Sequence, residues 1–376
     1  MALDTNTNNP VEGIGLALSG GGFRATLFHI GSLWRLNELG LLRKLKVITS
    51  VSGGSITAGY LGKRWRALEF GTQNQVTNFK DAIVKDLREF CSKTHDFWAG
   101  IAGLLPGISG GDVVARSYRK ELFGDATLQD LPDEANSPRF IIYATSLQTG
   151  VSVRFSRTFL RDYWLGRIDN PKVSLAKAVA ASSAFPPVLS PVNIDMDSAP
   201  WITEEGNLSE PMLSKLRKKL VLTDGGVYDN MGLEAIYDRY ETVLVSDAGA
   251  PFEFDVSPSG AWLALTKRAL DITCEQTRAL RRRALLKDFI AHGRKGTYWG
   301  IATKIDDYKL NNAMTQDSPG TQNLSQLRTR LDVFDEREQC CLINWGYALA
   351  DAALRKYVAE AQSAPRGAWP YPDYAL

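Results

Sequence analysis

The stretch LALSGGGFRATLFHIG, Leu16–Gly31, breaks an apolar run at three consecutive glycines and starts a helix directly behind them. Leu27, Ile30, Leu33, Trp34 and Leu36 then recur at helical spacing until Gly40. Glycine is the poorest ordinary helix former. Three before a helix mean either a backbone too crowded for side chains or N–H groups that must face something closely. The grammar repeats at once: Lys46–Val51 reads as a strand, Ser52-Gly53-Gly54 as a turn and Ser55–Arg66 as a helix. Strand, glycine turn and helix, twice in succession, is the pattern of a parallel α/β sheet.

Three ligands compete for the glycine turn. Gly20, Gly22 and Ala25 satisfy G-x-G-x-x-A, but a dinucleotide site needs an acidic residue ending the second strand, which here runs Ser50-Val51-Ser52-Gly53-Gly54. No Gly-Lys-Ser/Thr follows, as a P-loop requires. The remaining reading is an oxyanion hole made by Gly20, Gly21 and Gly22. Backbone N–H groups at a helix start point outward with the positive end of the helix dipole behind them. Ser52 is the matching nucleophile: Ser50-Val51-Ser52-Gly53-Gly54 is G-x-S-x-G with serine in place of the first glycine. A purely structural Ser-Gly-Gly turn is the alternative at this point.

With 376 residues, 44% apolar and 23% charged, the chain has ample material for a large core. A net charge of +2 argues against a dedicated nucleic-acid binder. Cys91, Cys274, Cys340 and Cys341 form no Cys-x-x-Cys pair, and the chain has only three histidines. A metal site and a cofactor are therefore not expected, and the sparse cysteines fit a reducing compartment. The polar N-terminus has no signal-peptide layout, and no run reaches about 18 apolar residues. The expectation is a soluble, cytoplasmic protein.

Farther along, Phe140–Leu147, Val151–Phe155, Leu220–Leu222 and Thr242–Asp247 read as strands, and Leu175–Ala184 as a short helix ended by Pro186-Pro187. Asp96–Asp112 is apolar, glycine-rich and broken by Pro106, either a buried loop or short helix, or a mobile flap facing lipid. Beyond about Gly260 the chain is mostly helical, with a strand candidate at Gly296–Ala302 and a basic stretch at Thr277–Lys287. That stretch is a solvated face or a contact for anionic head groups or a nucleotide. The organisation expected is a catalytic core over residues 11–250 with a mainly helical extension over 251–376 packed on it.

A serine nucleophile needs a base. His29 lies inside the first helix, His95 precedes the apolar stretch, and His292 sits in Ala-His-Gly at a helix end. None follows a strand in Ser–Asp–His order, and only His292 comes after Asp224, so a Ser–Asp pair fits better. Asp224 ends an apolar strand and is followed by Gly225-Gly226, which leave its carboxylate room to reach Ser52, although an Asp-Gly pair also makes Asx turns. Asp229 is the decoy, placed near a helix start expected at Gly232.

Four blocks now line up in order: SGGGFR (Ser19–Arg24), SVSGGS (Ser50–Ser55), AVAASSAFPPVLSPV (Ala178–Val192) and DGGVYDNMG (Asp224–Gly232). Together they resemble the patatin-like phospholipases and, more distantly, cytosolic phospholipase A2. The resemblance covers roughly residues 14–247 and leaves the C-terminal third unassigned. It implies a three-layer α/β/α fold with a mostly parallel central sheet. It also implies a serine esterase using a Ser52–Asp224 dyad, with Gly20, Gly21 and Gly22 as the oxyanion hole and Arg24 and Gly53 in support. The implied activity is hydrolysis of glycerophospholipid acyl esters, phospholipase A or lysophospholipase in type, at a phospholipid membrane surface. Two alternatives share the core. One is a membrane-degrading effector switched on by a small molecule such as a nucleotide, or by a protein, as the resemblance implies for some bacterial members in defence against phage. The other is a catalytically inactive scaffold.

Overall fold

The first apolar run becomes a central strand because both of its faces are covered. In β1 (Val11–Leu18), Ile14, Leu16 and Leu18 enter one core while Ala17 enters the other. The computed structural model describes residues 10–93, 109–204, 208–291 and 293–376. Beside β1 lie β2 (Leu45–Val51) and β9 (Tyr240–Asp247); β10 (Lys295–Gly300) flanks β9 and β3 (Arg139–Ser146) flanks β2, and these five strands run parallel. The sheet continues antiparallel through β4 (Ser152–Phe155), β5 (Phe159–Asp162) and β6 (Gly166–Asp169), while β7 (Val192–Asp195) pairs with β8 (Lys219–Asp224).

Helices cover both faces. The larger core holds α1 (Gly22–Glu38), α2 (Gly53–Arg64), α3 (Lys85–Cys91), α4 (Gly110–Tyr118) and α5 (Leu175–Ser183). The smaller one is closed by Met231, Leu233, Ala235 and Ile236 and by Leu285 of a long helix numbered α7 (Trp262–Ile290). Between them in the chain, α6 (Glu210–Arg217) precedes β8. This is the three-layer α/β/α arrangement, with a thinner second helical layer.

The segment after residue 250 contributes more than helices to this body. It supplies β10 to the sheet, a short α8 (Pro319–Gln326) and a buried α9 (Glu336–Tyr357). A capping box starts α9: Asp335 Oδ1 accepts the Glu338 N–H at 2.8 Å, and Glu338 accepts the Asp335 N–H at 3.1 Å. α9 crosses α1 through two glycines. A Cβ on Gly31 would lie 1.9 Å from the Ile343 carbonyl oxygen, and one on Gly346 would lie 2.0 Å from that of Phe28. Among the described residues, no helix is long and apolar enough to cross a membrane.

Some sequence expectations lie outside the described residues: His95, His292 and all but the end of the Asp96–Asp112 stretch. Gly346→Ala should push α9 from α1 and destabilise the fold by about 1–3 kcal/mol, the usual range for overpacking a tight contact. A thermal melt that leaves the midpoint unchanged would refute the close crossing.

Candidate active site

One edge of β3 is shared end to end by two strands. β2 pairs with it as far as Val51 opposite Tyr143, and β8 takes over at the next residue, with Asp224 opposite Ala144. Because β2 is parallel to β3 and β8 antiparallel, the two strands meet head-on. Ser52 and Asp224 are the residues at that meeting point. The carboxylate thus arrives from a strand running against the parallel set, where the sequence suggested only a strand end with room beyond it.

Ser52 turns the chain sharply from β2 into α2 with φ 50° and ψ −120°, a region that costs a non-glycine residue roughly 1–3 kcal/mol. A strand-to-helix turn in this conformation lifts the serine side chain clear of both elements. Four hydroxyl and amide groups hold the turn. The Ser52 N–H donates to Ser182 Oγ at 2.9 Å, Ser182 and Ser55 share a hydroxyl contact of 2.9 Å, and Ser55 donates to Ser50 Oγ at 3.0 Å. Ser50, the residue that departs from G-x-S-x-G, donates in turn to the Ile141 carbonyl at 3.4 Å. Ser182 also accepts through its carbonyl from Gly225 N–H at 3.2 Å, and Ala184 accepts from Asp224 N–H at 3.0 Å. The end of α5 therefore fastens both halves of the pair, a role the sequence did not reveal for Ser182.

Asp224 is 3% exposed and its Oδ1 accepts the Gly226 N–H at 2.7 Å. Burial pushes its carboxyl up from the ordinary value to about 7, while the Gly226 N–H and the facing Ser52 side chain pull in the opposite direction. Asp229 does something else. It accepts N–H bonds from Met231 at 3.1 Å, Leu233 at 2.8 Å and Glu234 at 3.2 Å, closing a series of turns. No regular helix begins at Gly232, so the dipole expected there is absent and the turn itself explains the buried acid.

The glycine turn stands beside Ser52: a Cβ on Gly20 would lie 3.0 Å from that of Ser52. Gly21 and Gly22 take φ 147° and 59°, and side chains there would strike the carbonyls of Ala248 and Thr329 at 2.5 and 1.7 Å. Among the described residues, the N–H groups of Gly21, Gly22 and Gly53 have no hydrogen-bond partner. Gly20 departs from the expectation, because its N–H donates to the Asn230 carbonyl at 3.0 Å. Gly53 stands in its place: as the residue after Ser52 it opens α2, and a Cβ on it would lie 2.0 Å from the Gly22 carbonyl oxygen. Two helix starts converge there.

Arg24 and His29 are structural. Arg24 is 1% exposed and donates to the carbonyls of Ser325 at 2.8 Å, Leu327 at 2.7 Å and Ala248 at 2.8 Å. Its burial and carbonyl partners exclude a surface ion pair. His29 Nε2 donates to the Ser19 carbonyl at 2.9 Å and Nδ1 accepts from the Ser246 hydroxyl at 2.8 Å, since a carbonyl can only accept. Burial lowers its pKa to about 4, so it is neutral. Among the described residues, no group of three or more His, Cys, Asp or Glu side chains could hold a metal ion.

Ser182→Ala should leave the Ser52 N–H unsatisfied, lowering both turnover and stability, the latter by about 1–3 kcal/mol. Ser183, whose hydroxyl donates to Val179 within its own helix at 2.9 Å, is the control. Equal thermal midpoints and rates for the two alanine variants would refute the assignment.

A model of the patatin-like phospholipase family matches residues 16–237. No curated protein matches the sequence. Among solved structures, human GIVD cytosolic phospholipase A2 in complex with methyl gamma-linolenyl fluorophosphonate is similar at 16% identity and TM-score 0.50, over 90% of this chain and 57% of that one. A second structure of the human protein gives 13% identity and TM-score 0.49 over 93% of this chain and 61% of that one. VipD from Legionella pneumophila gives 14% and 0.35 over 90% and 66%. The chain thus spans 57% of the first human chain, and at such identity the likeness concerns the fold. The family model covers more than half of the chain and takes in the glycine turn, Ser52 and Asp224, and the chain belongs to the patatin-like phospholipase family.

Proposed function

We propose that the protein is a lipid acyl hydrolase that cleaves glycerophospholipid acyl esters, phospholipase A or lysophospholipase in type, with Ser52 as nucleophile and Asp224 as base. The observation that carries this reading is the head-on junction of β2 and β8, which sets a strained serine against a buried carboxylate beside unpaired N–H groups. Ser52 Oγ attacks the ester carbonyl carbon as its proton passes to Asp224. The oxyanion so formed is received by the N–H groups of Gly21, Gly22 and Gly53. Collapse breaks the ester bond, and the leaving alcohol takes the proton from Asp224. Water then attacks the acyl-Ser52 carbonyl carbon as Asp224 accepts its proton; the bond to Ser52 Oγ breaks, Oγ takes that proton back from Asp224, and the fatty acid leaves.

A carboxylate titrating near 4 is a poor base for a serine at neutral pH; raised to about 7, Asp224 is matched to the task. The strain retained at Ser52 supports an active enzyme over a scaffold that kept only its fold.

A fluorophosphonate probe should label the protein at Ser52, with labelling lost in Ser52→Ala; a label mapped to Ser182 or Ser183 would overturn the reading. Asp224→Asn should remove turnover, by about 10²-fold or more, with the fold intact. Asp229→Asn should keep most of the activity while weakening the turns it closes by about 1–3 kcal/mol. In the parent, kcat/KM on a dispersed ester should fall by about tenfold per pH unit below the Asp224 pKa of about 7, because the base must be ionised. An active Asp224→Asn beside an inactive Asp229→Asn would reverse the assignment.

A further inference from the structure

α7 is 29 residues long, about 43 Å at 1.5 Å per residue, yet only Arg278 and Leu285 of it are buried. Arg278 ties it to the sheet through Asp247 at 3.0 Å and the Ala250 carbonyl at 2.7 Å. At 100° per residue the opposite side carries Trp262, Leu265, Ile272, Leu280, Leu286 and Ile290 within one stripe. All six are exposed, Trp262 by 80%, Leu280 by 60% and Ile290 by 78%. Phe254, 96% exposed, adds to the apolar end in the loop that leads into the helix. A soluble helix normally turns such a stripe inward; this one turns it out along its whole length.

The charges within and beside the stripe point to its occupant: at 100° per residue Arg283 and Lys287 fall inside it and Arg268 at its edge. α7 has seven Lys and Arg residues against three Asp and Glu, in a chain whose overall charge is only +2. A second copy packed on the stripe would bring two positively charged helices together with Arg283 in the seam. An anionic lipid surface meets the same features favourably. The apolar side chains enter the acyl boundary, Trp262 sits at head-group level, and Arg268, Arg283 and Lys287 reach the phosphates. The loop between the stripe and the site begins at Ala248, whose carbonyl Arg24 holds beside Gly21.

We infer that α7 is the membrane-docking element of this protein and that its partner is an anionic phospholipid bilayer. The inference rests on the proposed lipid hydrolase reading for its purpose, but the exposed stripe and its charges are observed independently of any role for Ser52. The test uses the full chain with Ser52→Ala, so that vesicles stay intact, sedimented with phosphatidylcholine vesicles with and without phosphatidylglycerol. Binding should require the anionic lipid and should weaken by about tenfold or more in Leu265→Glu/Ile272→Glu, as expected for lost apolar burial at two positions. The same double substitution in an otherwise unchanged chain should leave hydrolysis of a dispersed short-chain ester as it was. Absence of sedimentation, or equal sedimentation with and without the substitutions, overturns the inference. So does a dimer, seen by light scattering, that the substitutions dissolve. A parent that binds vesicles but hydrolyses nothing would instead sink the proposed function and leave the docking element standing.

Discussion

The sharing of one β3 edge by two opposed strands is the constraint on which the site depends. Backbone ladder bonds, not side-chain reach, set the positions of Ser52 and Asp224, because β2 must leave the edge where β8 arrives. Gly225 makes the junction passable: a Cβ there would lie 2.5 Å from the Tyr143 carbonyl oxygen. The end of α5 then pins both strand ends with backbone and hydroxyl contacts. Serine and carboxylate are thus set by the same strand, and His29, the one histidine among the described residues, is engaged at both nitrogens in holding β1 to β9.

The question raised by three consecutive glycines has a double answer. Crowding forbids side chains at Gly21 and Gly22, since carbonyls of Ala248 and Thr329 occupy the space; the same positive φ angles leave their N–H groups unpaired. The crowding comes partly from the C-terminal third. Arg24 gathers carbonyls from Ser325, Leu327 and Ala248 around a buried guanidinium, whose pKa burial and the nearby Arg278 bring down to about 10. Residues far along the chain thus form the back of the turn beside Ser52, and Arg278 anchors α7 to Asp247 on the neighbouring strand.

The parallel centre of the sheet was legible because its strands are apolar on both faces and end in glycine turns. β5, β6 and β7 were not, since each has four residues and mixes charge with apolar positions too briefly for a period to emerge. Ser52 and Asp224 could be singled out by their local setting, but their meeting could not, because it depends on β8 running opposite to β2. The same limit explains Gly20 and Arg24. Whether an N–H is open or a guanidinium is buried depends on Asn230 and on Ser325–Leu327, which no local pattern connects to the turn. Gly53 carried a signal, as the residue after the nucleophile.

Asp224 and the buried His29 have opposite effects on the fold as pH changes. Asp224 is raised from 3.8 to about 7, so the folded chain holds its proton where the unfolded chain has lost it; that contribution is present below 3.8 and is lost as pH rises through about 7. His29 is lowered from 6.5 to about 4, so the unfolded chain binds the proton first and the fold weakens as pH falls through that interval. Between about 4 and 6.5 the two slopes have opposite sign and offset one another. Above that interval the His29 contribution is complete while that of Asp224 continues, so the pH range in which Asp224 becomes ionised is also the range in which burying it works against the fold. The ladder bonds to β3 and the α5 contacts hold the carboxylate in place there, and they include no group that titrates in that range.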